Sequence, residues 1–131
     1  MKTAKEINDL TEKIIACAIR VHRELGPGLL ESTYEVCLKY EFEQLGILVE
    51  RRVPVAVIYR GVKLEKGYWI DLLVERTVVL ELKSQEGILP VHEAQLVSYL
   101  RLSGYVIGLL LNFNVRIMKD GIRRIVNGLP E

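Results

Sequence analysis

The stretch that decides the fold is Tyr68-Trp-Ile-Asp-Leu-Leu-Val-Glu-Arg-Thr-Val-Val-Leu-Glu-Leu-Lys83. Its halves, Tyr68 to Val74 and Thr77 to Lys83, are rich in apolar and β-branched residues. Glu75-Arg76 joins them, so they read as two consecutive strands. Asp71 interrupts the first strand. Glu81 and Lys83 end the second. They are two apart, so both side chains emerge on one face while Leu80 and Leu82 point to the other. A short turn would set Asp71 beside Glu81. Two carboxylates that close raise each other's pKa unless a cation sits between them. Mg²⁺ accepts one or two carboxylates and keeps positions for water and phosphate. The competing reading of Glu81 and Lys83 is an ion pair at a strand end.

Upstream lie two helices. Thr3 and Glu6 have capping-box spacing. Ile7, Leu10, Ile14, Cys17, Val21 and Leu25 then recur at helical intervals until Gly26-Pro27-Gly28. A second helix is predicted from about Leu29 to Leu45, with Gly46 as its glycine cap. Glu31 shares a helix face with Tyr34, Leu38, Phe42 and Leu45, the side that should meet the core. A first-turn acid is also what the helix dipole favours, and that reading needs no chemistry. Val53 to Tyr59 reads as a strand, Arg60-Gly61 as a tight turn, and Val62 as the start of a return strand.

Downstream, Leu89-Pro90 opens a third helix, about Val91 to Ser103, closed by Gly104. Gln95 and Tyr99 are four apart and share one of its faces. An ordinary amphipathic helix burying Leu96 and Leu100 would look the same. Tyr105 to Leu111 is a continuous apolar run, as in a strand buried on both faces. Val115 to Met118 and Ile122 to Val126 flank Asp120-Gly121, a hairpin signal. The predicted order is α-α-β-β-β-α-β-β: an α/β protein with a mixed sheet flanked by helices, as one domain over residues 1–131.

The chain has 131 residues, 50% hydrophobic and 27% charged, enough to bury a core. No stretch approaches the ~20 apolar residues of a membrane span, and the N-terminus shows no signal-peptide pattern, so a cytoplasmic location is expected. Cys17 and Cys37 lack metal-site spacing and read as small core residues. A net charge of +1 argues against a protein that coats nucleic acid. Any such contact needs a local patch, with Arg51-Arg52, Arg60 and Lys63 the nearest candidates. A mean hydropathy of +0.19 makes a homodimer plausible.

Asp71 followed by Glu81-Leu82-Lys83 resembles the PD-(D/E)xK nuclease signature. A helix acid before it and Gln95-Leu-Val-Ser-Tyr99 after it resemble the RecB-like branch. Gly28-Leu-Leu-Glu31-Ser-Thr-Tyr34 is similar to the motif of the GxxExxY protein family, as are the residues around Glu24 to Glu31 and Pro90 to Gln95. The likeness runs from about residue 7 to 127. It departs at Ile70, where the superfamily's name has proline.

The resemblance implies a restriction-endonuclease-like mixed sheet and a Mg²⁺- or Mn²⁺-dependent phosphodiesterase acting on DNA or RNA. Glu31, Asp71, Glu81 and the Leu82 backbone carbonyl would surround the ion. Lys83 would orient or deprotonate the attacking water, or steady the transition state. Gln95 would contact phosphate, and Tyr99 would stack on a base or touch the backbone. Tyr34 would pack beneath Glu31, and His22 would be structural. His92 is a weaker candidate for phosphate contact. Two rival classes share these residues: a nuclease-like module that binds nucleic acid or protein without cutting, and a small-molecule phosphodiesterase.

Overall fold

The computed structural model describes residues 2–64 and 67–130. Helix α1, Ala4–Leu25, starts as predicted. The Thr3 hydroxyl accepts the Glu6 amide and the Glu6 carboxylate accepts the Thr3 amide, both at 3.1 Å. These bonds hold the Glu6 carboxyl below its ordinary range. Helix α2, Glu31–Gln44, begins two residues later than predicted and without a side-chain cap. Tyr34 organises the connection instead. Its hydroxyl donates to the Gly26 carbonyl at 2.6 Å and accepts the Leu29 amide at 3.1 Å. Its ring is fully buried and stacks on Phe113, centroids 4.3 Å apart.

Five strands follow before the third helix: β1 Val49–Pro54, β2 Val57–Tyr59, β3 Val62–Leu64, β4 Trp69–Val74 and β5 Val78–Lys83. Helix α3, Pro90–Ser103, leads to β6, Ile107–Asn112, and β7 is Ile122–Val126. The main sheet has the order β1-β4-β5-β6-β7, and β2-β3 is a separate hairpin. Among the described residues only β5 and β6 run parallel, joined through α3, so the sheet is mixed as predicted. One face buries Leu72, Leu80, Leu82, Leu109 and Leu111 against α1 and α2. The other buries Leu73, Val79 and Leu110 against Leu96, Tyr99 and Leu100 of α3. Every residue of β6 is buried, as its unbroken apolar run predicts.

Two segments differ from the sequence reading. The run Val53 to Tyr59 is not one strand but is divided between β1 and β2, so that five strands precede α3. Pro54 ends β1, where it has no amide to donate, and the Val55 amide turns to the Tyr68 carbonyl. The Asp120-Gly121 hairpin does not form. Met118–Gly121 is a 3-10 turn, and β7 pairs with β6 rather than with Val115 to Met118. Gly121 serves close approach, since a Cβ there would run into the Asn112 carbonyl oxygen. His22 is structural as expected: it is buried, with Nε2 2.7 Å from the Val115 carbonyl oxygen. Cys17 is buried and Cys37 packs against the same core, as predicted. Burial pushes the Cys17 thiol up, away from reactivity. Among the described residues no helix is long and apolar enough to cross a membrane.

Candidate active site

The ladder between β4 and β5 runs through Val74↔Val78, Leu73↔Val79 and Leu72↔Leu80. At the next position the side chains replace it. Asp71 Oδ2 accepts the Leu82 amide at 2.8 Å, and Glu81 Oε1 faces the Asp71 amide at 3.4 Å. Each acid thus takes an amide from the other's strand, and the two are locked together at the point where backbone pairing ends. The pairing on the other side is interrupted at the same level. The β1–β4 register continues on both sides but skips Arg52 opposite Asp71, and Arg52 sits at φ 50. Val49 and Leu72 pack toward α1 and α2, whereas Val53 and Ile70 pack toward α3. The strand pair therefore turns over its faces at Arg52 and Asp71. A left-handed non-glycine residue is costly, and such strain collects at functional sites.

Burial sets the electrostatics. Glu81 is only 5% exposed, and Asp71 is half-buried. Burial first, then the charge of Asp71, pushes the Glu81 carboxyl up to about 9. Asp71 is raised too, by burial foremost and by the charge of Glu35, against the pull of the Leu82 amide. A proton or a cation must therefore accompany the pair at neutral pH. Lys83 follows Glu81 on the same strand face, half-buried, and its charge draws both carboxyls down. Tyr99 approaches from α3. It is 7% exposed, and its ring lies 6.2 Å from that of Tyr68. Burial and then the charges of Glu81 and Asp71 push its hydroxyl up to about 12. Its ring is enclosed, which leaves little of its face for stacking. Gln95 lies half-buried one turn earlier on the same helix.

The other expected residues are placed less centrally. Glu31 is exposed at the start of α2 and lines a cleft of about 440 Å³ with Leu29, Leu30, Ser32 and Ser84. Ser84 follows Lys83 and donates to the Leu29 carbonyl at 2.6 Å, so this cleft adjoins the end of β5. His92 Nδ1 accepts the Leu89 amide at 3.0 Å and caps α3. Sequence reasoning missed Glu35, which is 7% exposed, bears on Asp71, and is bound by Arg51 at 2.8 Å. Arg51 is thus drawn inward, away from the basic patch. Asn112 was missed as well. Fully buried, its side chain accepts the Gln85 and Asn114 amides, both at 3.2 Å, and donates to the Gln85 carbonyl at 2.9 Å. It clamps the loop that leaves Lys83.

The donor set suits a hard divalent cation. A buried and a half-buried carboxylate that need positive charge are side by side, with Lys83 on the same strand face as Glu81. Among the described residues no three His, Cys, Asp or Glu side chains are gathered closely enough to hold a metal. Two carboxylates with water and phosphate completing the shell is an arrangement Mg²⁺ accepts.

A mixed sheet with helices on both faces, opening at an acid pair followed by a lysine, is a restriction-endonuclease-like fold. A family model of the PD-(D/E)XK nuclease superfamily matches residues 8–125, and the chain belongs to that superfamily. No match was found among curated proteins or among solved structures.

Proposed function

We propose that this chain is a Mg²⁺- or Mn²⁺-dependent phosphodiester hydrolase acting on DNA or RNA, with Asp71, Glu81 and Lys83 as its catalytic core. The observation that carries the reading is the reciprocal hold of Asp71 and Glu81 on each other's strands, Glu81 buried and Asp71 half-buried, with Lys83 on the same face as Glu81. A structural ion pair at a strand end would not set two carboxylates together in a place that raises both.

Asp71 and Glu81 would hold the ion through their carboxylates, and the Leu82 carbonyl and Glu31 would be the further oxygen donors. When bound, the cation would supply a more acidic water and a positive charge to offset that growing on the phosphate. Lys83 orients that water or takes its proton, and steadies the pentavalent transition state. The water oxygen joins phosphorus, the bridging P–O bond breaks, and a proton goes to the departing oxygen. Gln95 contacts the phosphate or its water shell, and the Tyr99 hydroxyl touches the substrate backbone. Within the superfamily, the Gly28 to Tyr34 motif supports placement with the GxxExxY proteins. There Tyr34 acts through the Gly26–Leu29 connection, which it ties to the start of the helix bearing Glu31.

A second reading is a nuclease-like module that binds without cutting. It is favoured by the exposure of Glu31 and by the lack of a three-acid group among the described residues. Calorimetric titration with Mn²⁺ separates the two. The hydrolase reading expects a single site that is lost in Asp71→Asn and Glu81→Gln and weakened in Glu31→Gln. No heat at millimolar Mn²⁺ would leave the binding module standing.

A further inference from the structure

The β2–β3 hairpin stands apart from the main sheet and exposes apolar side chains. Ile58, Tyr59 and Val62 are 63%, 64% and 59% exposed, and Tyr68 and Trp69 at its base are 45% and 43% exposed. Tyr59 and Val62 pair across the hairpin on one face, with Ile58 on the other, and exposed apolar side chains gathered on a small element are what an interaction site offers. Charge is concentrated in the same place. Arg52, Arg60 and Lys63 lie on or beside the hairpin, although the overall net charge of the chain is only +1.

Both of these arginines occupy unfavourable backbone. Arg52 is at φ 50 with its guanidinium 5.4 Å from the centre of the Trp69 ring. Arg60 is at φ 51, followed by Gly61 at φ 82, in the turn joining Tyr59 to Val62. Such a turn favours asparagine or glycine at its first central position. The turn itself gives no reason for an arginine there. The segment also runs directly into the site: Tyr68 lies against Tyr99, and Trp69 is two residues before Asp71.

We infer that this hairpin, with Tyr68 and Trp69, is a landing surface for single-stranded nucleic acid that leads to the Asp71–Glu81 pair. Unpaired bases stack on the exposed aromatic faces, while Arg52, Arg60 and Lys63 meet the phosphates. A duplex hides its base faces and cannot use the aromatic surface. The inference deepens the phosphodiesterase reading and rests on it for the fate of the strand, but capture itself needs no metal.

Trp69 is the only tryptophan in the chain, so its emission reports on this surface directly. The full chain in EDTA is titrated with an oligothymidylate of about 15 nucleotides and with a duplex of equal length. The single strand should quench Trp69 and bind roughly tenfold tighter than the duplex. Arg60→Gly removes a cation while giving the turn a residue it prefers, so the fold is kept. It should weaken single-strand binding and reduce the salt slope by about 0.7. Equal binding of duplex, absence of quenching, or an unchanged slope in Arg60→Gly would overturn the inference. A chain that sediments as a dimer, becomes monomeric in Arg60→Gly and has no oligonucleotide affinity would overturn it too, assigning the surface to a second copy. Failure of the hydrolase reading looks different: quenching and single-strand preference persist, while Mn²⁺-loaded protein cleaves nothing.

Discussion

Glu35 and Arg51 are bonded at 2.8 Å at the border of the site, and the charge of Glu35 reaches Asp71. A nearly buried acid is thereby neutralised by a partly exposed arginine from the neighbouring strand. Arg51→Met leaves Glu35 without its partner. The unfolding midpoint in urea should fall by the equivalent of about 1–3 kcal/mol, with the slope unchanged. Arg51→Lys should recover part of the loss. An unaltered midpoint in Arg51→Met would show that the pair contributes nothing.

The acid pair predicts an inverted pH dependence for the metal-free protein. Folded Glu81 holds its proton up to about 9, against 4.5 ordinarily, and Asp71 is raised in the same direction. The folded state therefore binds more protons than the unfolded state between those values. By linkage, this contribution is full below 4.5 and is lost as pH climbs through 9. Thermal melts in EDTA should show wild type losing stability from mildly acidic to mildly alkaline pH relative to Glu81→Gln, which cannot titrate. Adding Mn²⁺ should reverse the difference on the alkaline side, where the carboxylates are free to bind it. Parallel pH profiles for the two proteins would contradict the placement of Glu81.

Gly121 touches the backbone of Asn112, the residue that clamps Gln85. Gly121→Ala forces that carbonyl aside and should cost about 1–3 kcal/mol. It should also loosen the loop following Lys83, which hydrogen exchange at the Gln85 amide would register. Protection of that amide equal to wild type would detach the two residues.

Gly108 on β6 is packed under α3, where an added Cβ would lie 2.8 Å from Leu96 Cδ1. Gly108→Ala should destabilise by about 1–3 kcal/mol. Because Leu96 lies between Gln95 and Tyr99, it should also lower turnover while leaving Mn²⁺ affinity intact. Unchanged turnover would show that α3 does not position substrate groups.

The strand carrying Glu81 and Lys83 was legible because period-two alternation fixes which side chains share a face. The partnership of Asp71 with Glu81 followed from the short connection between their strands. Glu35 was not legible. It sits one helical turn after Glu31, so the periodicity that marked one acid could not choose between them, and only the position of β1 with Arg51 does. The break after Pro54 escaped notice because β-rich composition continues to Tyr59 while the faces turn over at Arg52. The Asp120-Gly121 turn failed for a related reason. Glycine there answers a close approach by Asn112, a contact outside the turn itself.

The most direct test compares Lys83→Ala with wild type in Mn²⁺-dependent cleavage of a labelled oligonucleotide, with Mn²⁺ affinity measured on the same preparations. The account predicts that the variant still binds Mn²⁺ through Asp71 and Glu81 but cleaves at least ~100-fold more slowly. Cleavage at the wild-type rate by Lys83→Ala would contradict it.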